Sequence, residues 1–190
     1  RYNVNEHFKI QVTGGADINF MNFQDYAAPT SPGFEQGQLQ ISDFRNRMYN
    51  VEALAIYNNS YKKFDYGVTI GGNLYKVDNK TQIVTAKEMV MRDVIALQSF
   101  TSKEITEGTY RKQINSLYGS INLAYGNFVY LDATLRGDHS STLPSGNNTY
   151  LYPSVSGSFL FSEFFKINPT LLPYGKVRVS WAQVGSDTDP

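Results

Sequence analysis

Residues 7–20 read His-Phe-Lys-Ile-Gln-Val-Thr-Gly-Gly-Ala-Asp-Ile-Asn-Phe, and polar and apolar side chains alternate along them without a break in step. Successive side chains of a β-strand point to opposite faces. Phe8, Ile10, Val12, Ala16, Ile18 and Phe20 therefore share one face, and Lys9, Gln11, Thr13, Asp17 and Asn19 share the other. Such a strand stands between two different environments. The same period of two returns at 49–57, 63–75, 113–125, 129–138, 150–161 and 176–184, giving seven strands in all. Along 63–75, Phe64, Tyr66, Val68, Ile70 and Leu74 oppose Asp65, Thr69 and Asn73, and Gly71-Gly72 predicts a bulge or bend. Along 49–57 the alternation is less clean, because Leu54 and Ile56 fall on the polar side.

The connections alternate in length. Residues 21–48 and 76–112 make long ones, 58–62 and 126–128 short ones, 139–149 an intermediate one, and 162–175 fits the scheme poorly. Strands 113–125 and 129–138 both keep their apolar residues at odd numbers, which demands an odd hairpin loop, Gly126-Asn127-Phe128, with glycine supplying the turn. Val90, Val94 and Leu97 recur at helical spacing and predict one or two turns of helix within 86–98. Tight turns at one rim and long loops at the other are expected of an outer-membrane barrel, with the first strand running outward.

Composition narrows the choices. Lysine plus arginine equals aspartate plus glutamate at 17 each, so no charge excess points to nucleic acid. Without cysteine there is no thiol chemistry, disulfide or zinc–cysteine site. No apolar run is long enough for a membrane helix, but a tilted barrel strand needs only about 9 to 11 residues to cross, and its alternating faces cancel in any hydropathy average. The competing reading is a secreted soluble β-sandwich acting as a carbohydrate-binding module, which has the same alternation. Strand length favours the barrel, since sandwich strands average about five or six residues. Open sheet edges in lipid would leave backbone groups unpaired. The whole chain, 1–190, is accordingly read as part of a larger antiparallel transmembrane β-barrel.

A family resemblance then enters through specific residues. Ser116-Leu117-Tyr118-Gly119-Ser120-Ile121-Asn122-Leu123-Ala124-Tyr125, Leu135-Arg136-Gly137-Asp138, Ser140-Ser141-Thr142-Leu143-Pro144, Asn147-Asn148-Thr149-Tyr150, Tyr152-Pro153-Ser154-Val155-Ser156 and Val179-Ser180-Trp181-Ala182-Gln183-Val184-Gly185-Ser186 resemble the barrel of SusC/RagA-type TonB-linked outer-membrane proteins. His139, where the family often has Trp, and Ser186, where it often has Asn, depart from the pattern. The resemblance implies a barrel of about 22 strands around a plug, in the outer membrane of a Gram-negative bacterium and in contact with its lipid. It implies import of oligosaccharides or oligopeptides, a SusD-like surface lipoprotein as partner, and energy from the TonB complex through parts other than these residues.

Within that frame the polar face becomes the lumen. Parity places Asn73, Tyr118, Arg136, Asp138, Tyr150 and Tyr152 there toward the outer rim, and these are the candidates for contact with cargo. Arg136 and Asp138, two apart on one strand, also suit simple pairing with each other. His7 and His139 lack ligand spacing and read as solvated histidines. Asp187 and Asp189 make only part of a calcium loop, so no metal or cofactor is expected. The sequons at Asn58, Asn79 and Asn147 are read as turn chemistry. No nucleophile elbow, zinc motif or phosphate loop is present, and an enzyme is not expected.

Overall fold

The computed structural model describes residues 1–185 other than 93, 145, 147 and 169. Its strands form one antiparallel sheet in chain order: β1 (Tyr2–Asn3), β2 (Phe8–Ala27), β3 (Gln38–Tyr61), β4 (Phe64–Met89), β5 (Phe100–Tyr125), β6 (Val129–Ser140), β7 (Thr149–Phe159) and β8 (Val177–Ala182). All seven strands read from the alternation are present, and the short β1 is an addition, pairing Tyr2 with Ile10. A single meander among the described residues provides no second sheet for a β-sandwich to pack against. The fold is that of a partial β-barrel whose sheet is not closed within these residues.

The hairpin between β5 and β6 meets the parity requirement. Tyr125 pairs with Val129, and Gly126 and Asn127 both take positive φ, at 59° and 63°, which brings the chain back on the same face. Leu123 then opposes Leu131, and Ile121 opposes Ala133.

Two stretches read as long loops are largely strand. Only residues 28–37 and 90–99 connect their strands, because β2 runs on to Ala27, β3 begins at Gln38, β4 ends at Met89 and β5 begins at Phe100. Among the described residues of 86–98 the expected helix does not form, and Leu97–Ser99 makes a single 3-10 turn. The backbone donors there are committed elsewhere: Met89 N–H donates to the Gln36 carbonyl at 2.9 Å and Val90 N–H to that of Ser99 at 2.8 Å. β4 continues as strand through Gly71 and Gly72. β7 stops at Phe159, two residues short of the expected end, where a one-turn helix, α1 (Phe161–Phe164), opens the connection to β8. The Ser186, Asp187 and Asp189 readings, and the sequon at Asn147, lie outside the described residues.

The chain divides into two compact units. The first comprises Arg1–Gly15, Asn50–Tyr75 and Gln113–Pro190. One face of its sheet exposes Leu117, Ile121, Leu123, Leu131, Leu135, Leu151, Val155, Val179 and Trp181. A contiguous apolar face of this kind is foreign to a soluble monomer. Near its turns the aromatics touch one another, Phe64 against Tyr125 at 4.6 Å between ring centroids, Phe128 against Phe164 at 5.1 Å and Phe164 against Phe165 at 5.0 Å.

The second unit comprises Ala16–Tyr49 and Lys76–Lys112 and has a small dry core. Leu39, Ala86, Met89 and Phe100 are buried, with Ile41 and Leu97 packed against them. Phe100 carries the largest of these side chains. Its replacement by alanine is expected to destabilise the protein by about 3 to 5 kcal/mol through lost burial and the cavity left behind. The exposed neighbour, Thr101→Ala, should stay within about 0.5 kcal/mol of wild type. Chemical denaturation in detergent checks both.

Candidate polar-face site

The polar face of the first unit is built by register. Ser116, Asp138 and Tyr150 lie on one line of cross-strand partners through β5, β6 and β7, and Tyr118, Arg136 and Tyr152 lie on the next. Five of the six candidate residues thus sit on two adjacent rungs. Arg136 binds them into a network: its Nε donates to Asp138 Oδ1 at 2.7 Å, its Nη2 to Ser116 Oγ at 3.0 Å, and its guanidinium lies 5.6 Å from the Tyr118 ring centroid. The Tyr118 hydroxyl in turn donates to Glu52 on β3. Asn73 stands apart, donating to Asn50 Oδ1 at 2.7 Å and to the Val51 carbonyl at 3.4 Å.

Gly71 explains how Tyr118 reaches Glu52. A Cβ built there would come within 2.6 Å of the Tyr118 ring and of Leu54 Cδ2. The tyrosine ring and Leu54 therefore occupy the space a side chain on β4 would take. Leu54, which interrupts the alternation of its strand, fills part of that same space.

Nearer the turns the polar face continues as hydrogen-bonded pairs. Asn122 donates to Asp132 at 2.6 Å, and Thr134 meets Ser154 at 2.6 Å between hydroxyl oxygens. Asn58, Asp65, Asn122 and Asp132 border a hollow of about 470 Å³. A larger hollow, about 840 Å³, includes the apolar face around Gly119 and Gly137, walled by Leu117, Ile121, Ala133, Leu135 and Leu151. Its lining carries no carboxylate, lysine or arginine, so its chemistry suits hydrocarbon and not a hydrophilic ligand. His139 at its border bonds Thr149 through Nδ1 at 3.2 Å, and His7 Nδ1 meets the Asn58 carbonyl at 3.2 Å. Among the described residues no group of three or more His, Asp or Glu is placed to hold a metal ion.

Three polar-face features are absent from the sequence candidates. Glu52 and Ser116 complete the Arg136–Tyr118 network, and both fall at polar parity on their strands. In the second unit, Asp17, Asn19, Asn46 and Asn79 line a separate polar hollow of about 270 Å³. Asp17 and Asn19 have the right parity, but Asn46 and Asn79 lie in stretches read as loop.

A chain of the RagAB peptide transporter superposes with a TM-score of 0.83 at 16% identity, covering 94% of this chain. Chains of the RagAB peptide importer in its closed-closed and open-open states give 0.79 and 0.80, each at 17% identity over 95% of this chain. The likeness is one of fold: this chain shares the strand arrangement of part of those chains. The chain spans about a fifth of the length of those solved chains, 20 to 21%. No family model matches the sequence, and no curated protein matches it.

The glycine pair in β4 offers a clean test of the site's construction. Gly71→Val is expected to displace the Tyr118 ring and cost about 1 to 3 kcal/mol by overpacking. Gly72→Ala, whose Cβ would meet nothing closer than the Ser116 carbonyl at 3.7 Å, should be nearly neutral. Denaturation midpoints of the two variants discriminate between them.

Proposed function

We propose that this chain is part of the wall of a TonB-dependent outer-membrane importer, with its apolar face toward lipid and its polar face toward the lumen. Further strands pair with the edges at β1 and β8 and close the barrel, since an edge left open in lipid strands its N–H and C=O groups at several kcal/mol each. A plug inside the barrel couples to TonB, and a SusD-like surface lipoprotein partners the importer. The observation that carries this reading is the contrast between the faces of β5, β6 and β7: exposed leucine, isoleucine and valine on one, a hydrogen-bonded polar network on the other. The strong likeness in fold to chains of a peptide transporter supports it. A transport role in place of catalysis agrees with both.

Oligopeptides are the favoured cargo. Arg136 and Asp138 form an ion pair beside Tyr118 and its partner Glu52, a combination that suits peptide backbone and charged termini. Oligosaccharides are the second reading, favoured by Tyr150, which is exposed on the same face and offers a ring for stacking on sugar. Asn73, Tyr118, Tyr150 and Tyr152 are the proposed contact residues, with Arg136 and Asp138 holding the frame.

Growth of a deletion strain tests the cargo directly. Loss of growth on oligopeptides of several residues, with growth on free amino acids and on oligosaccharides retained, is expected; the opposite pattern would reverse the assignment. The face assignment has its own test. Val68→Arg places a charge toward lipid at a cost of roughly 2 to 4 kcal/mol near the bilayer midplane, whereas Thr69→Arg faces the lumen. Folded protein in the outer-membrane fraction should fall far more for the first than for the second.

A further inference from the structure

In the second unit, the face that exposes Ile18 and Phe20 also carries an arginine-rich belt. Side-chain contacts fix its membership. The Arg45 guanidinium lies 5.5 Å over the Phe20 ring, and Asn22 donates to Asp43 at 2.7 Å. Arg47 and Arg111 approach one oxygen of Asp78, at 3.7 and 3.8 Å, and Lys80 lies 3.7 Å from Glu107. Lys76, two residues before Asp78 on β4, joins them by alternation.

The balance of charge on this face is positive. By alternation Arg45, Arg47, Lys76, Lys80, Lys103 and Arg111 stand with Asp43, Asp78, Glu88 and Glu107. On the other face the same strands carry, by alternation, Asp17, Asp25 and Glu104 against Lys87 and Lys112. Two guanidinium groups share the single Asp78 carboxylate, so one positive charge there goes uncompensated. Their separations exceed hydrogen-bond length, which leaves planar N–H forks available to another anion. Arg45, stacked on Phe20, sets a cation directly against the exposed apolar residues.

We propose that this belt binds the phosphate groups of an outer-leaflet glycolipid, with Ile18 and Phe20 against its acyl chains. The proposal rests on the membrane reading above and names the lipid chemistry that reading leaves open. A bilayer interface supplies the two required features side by side: hydrocarbon against Ile18 and Phe20, and anionic phosphate against the arginines level with them. Arginine suits phosphate oxygens through paired, charge-assisted hydrogen bonds, and its aliphatic stem tolerates the apolar border.

The test uses the full-length protein extracted from membranes in an uncharged detergent, with bisphosphorylated lipid A and its dephosphorylated form as probes in native mass spectrometry. The phosphorylated lipid should bind at least about tenfold more tightly, a difference of about 1.4 kcal/mol. The triple variant Arg45→Gln, Arg47→Gln, Arg111→Gln should lose that preference. Arg111→Gln alone, at a side chain 73% exposed, leaves the fold intact and should lose part of it. Equal binding of the two lipids by wild type, or an undiminished preference in the triple variant, overturns the proposal. Fractionation separates the two levels of failure. A protein found in the outer membrane that ignores the phosphates defeats this inference alone, whereas a soluble protein defeats the membrane reading and this inference together.

Discussion

From β5 to β7 the sheet obeys one constraint: residues paired across neighbouring strands share a face, and the two faces are chemically different. A one-residue slip would carry the whole apolar set of a strand to the polar side. The constraint passes through the turns as well as along the strands. Between β5 and β6 it is met by a three-residue loop whose first two residues take positive φ, so Leu123 meets Leu131 and Asn122 meets Asp132. It continues from β6 to β7, where Ala133 meets Val155 and Thr134 meets Ser154. The polar network is a consequence, because register alone brings Ser116, Asp138 and Tyr150 into line.

The same constraint decides what was legible in the sequence. Where side chains separate two environments, alternation is enforced, and 7–20, 63–75, 113–125 and 129–138 show it plainly. β2 to β5 run for 20, 24, 26 and 26 residues, well past the about 9 to 11 needed to cross a bilayer. Over residues 21–27, 38–48, 76–89 and 100–112 polar residues occupy both faces, and the pattern disappears although the strands persist. Those stretches consequently read as loop: Asn79 reads as turn chemistry although it stands within β4, and Asn46 within β3 gives no signal. The helical spacing of Val90, Val94 and Leu97 misled for a related reason: spacing over two turns says nothing about where the N–H groups find acceptors, and Ser99 and Gln36 supply them across the connection.

Parity found the faces of the candidate residues but not their partners. Glu52 was visible on the polar side of β3, yet nothing in its neighbours announced Tyr118 as its hydrogen-bond donor. That contact depends on Gly71, which reads locally as a bend and in the sheet is a place for a ring to lie. Leu54 likewise reads as a flaw in the alternation, whereas it packs in the space beside the same glycine. Neither role shows when one strand is read at a time. The pairing of Arg136 with Asp138 needed only one strand, and its i, i+2 spacing made it legible.

Arg136 is more valuable for geometry than for stability. An exposed ion pair contributes little net free energy, typically about 0 to 1 kcal/mol, since water competes for both partners. Its guanidinium nevertheless engages Asp138, Ser116 and the Tyr118 ring at once, and Tyr118 is held from its other end by Glu52 and from beneath by Gly71. A side chain tied at so many points has little rotamer freedom left to lose, so contact with a ligand costs correspondingly little ordering entropy. The opposite face has no such demand. Gly119 and Gly137 border an apolar hollow there, and on the proposed membrane reading fluid acyl chains would fill it without complementary side chains. The absent side chain thus serves opposite ends on the two faces: at Gly71 it admits a fixed ring into a polar network, and at Gly119 and Gly137 it leaves room for a solvent that needs no fixed shape.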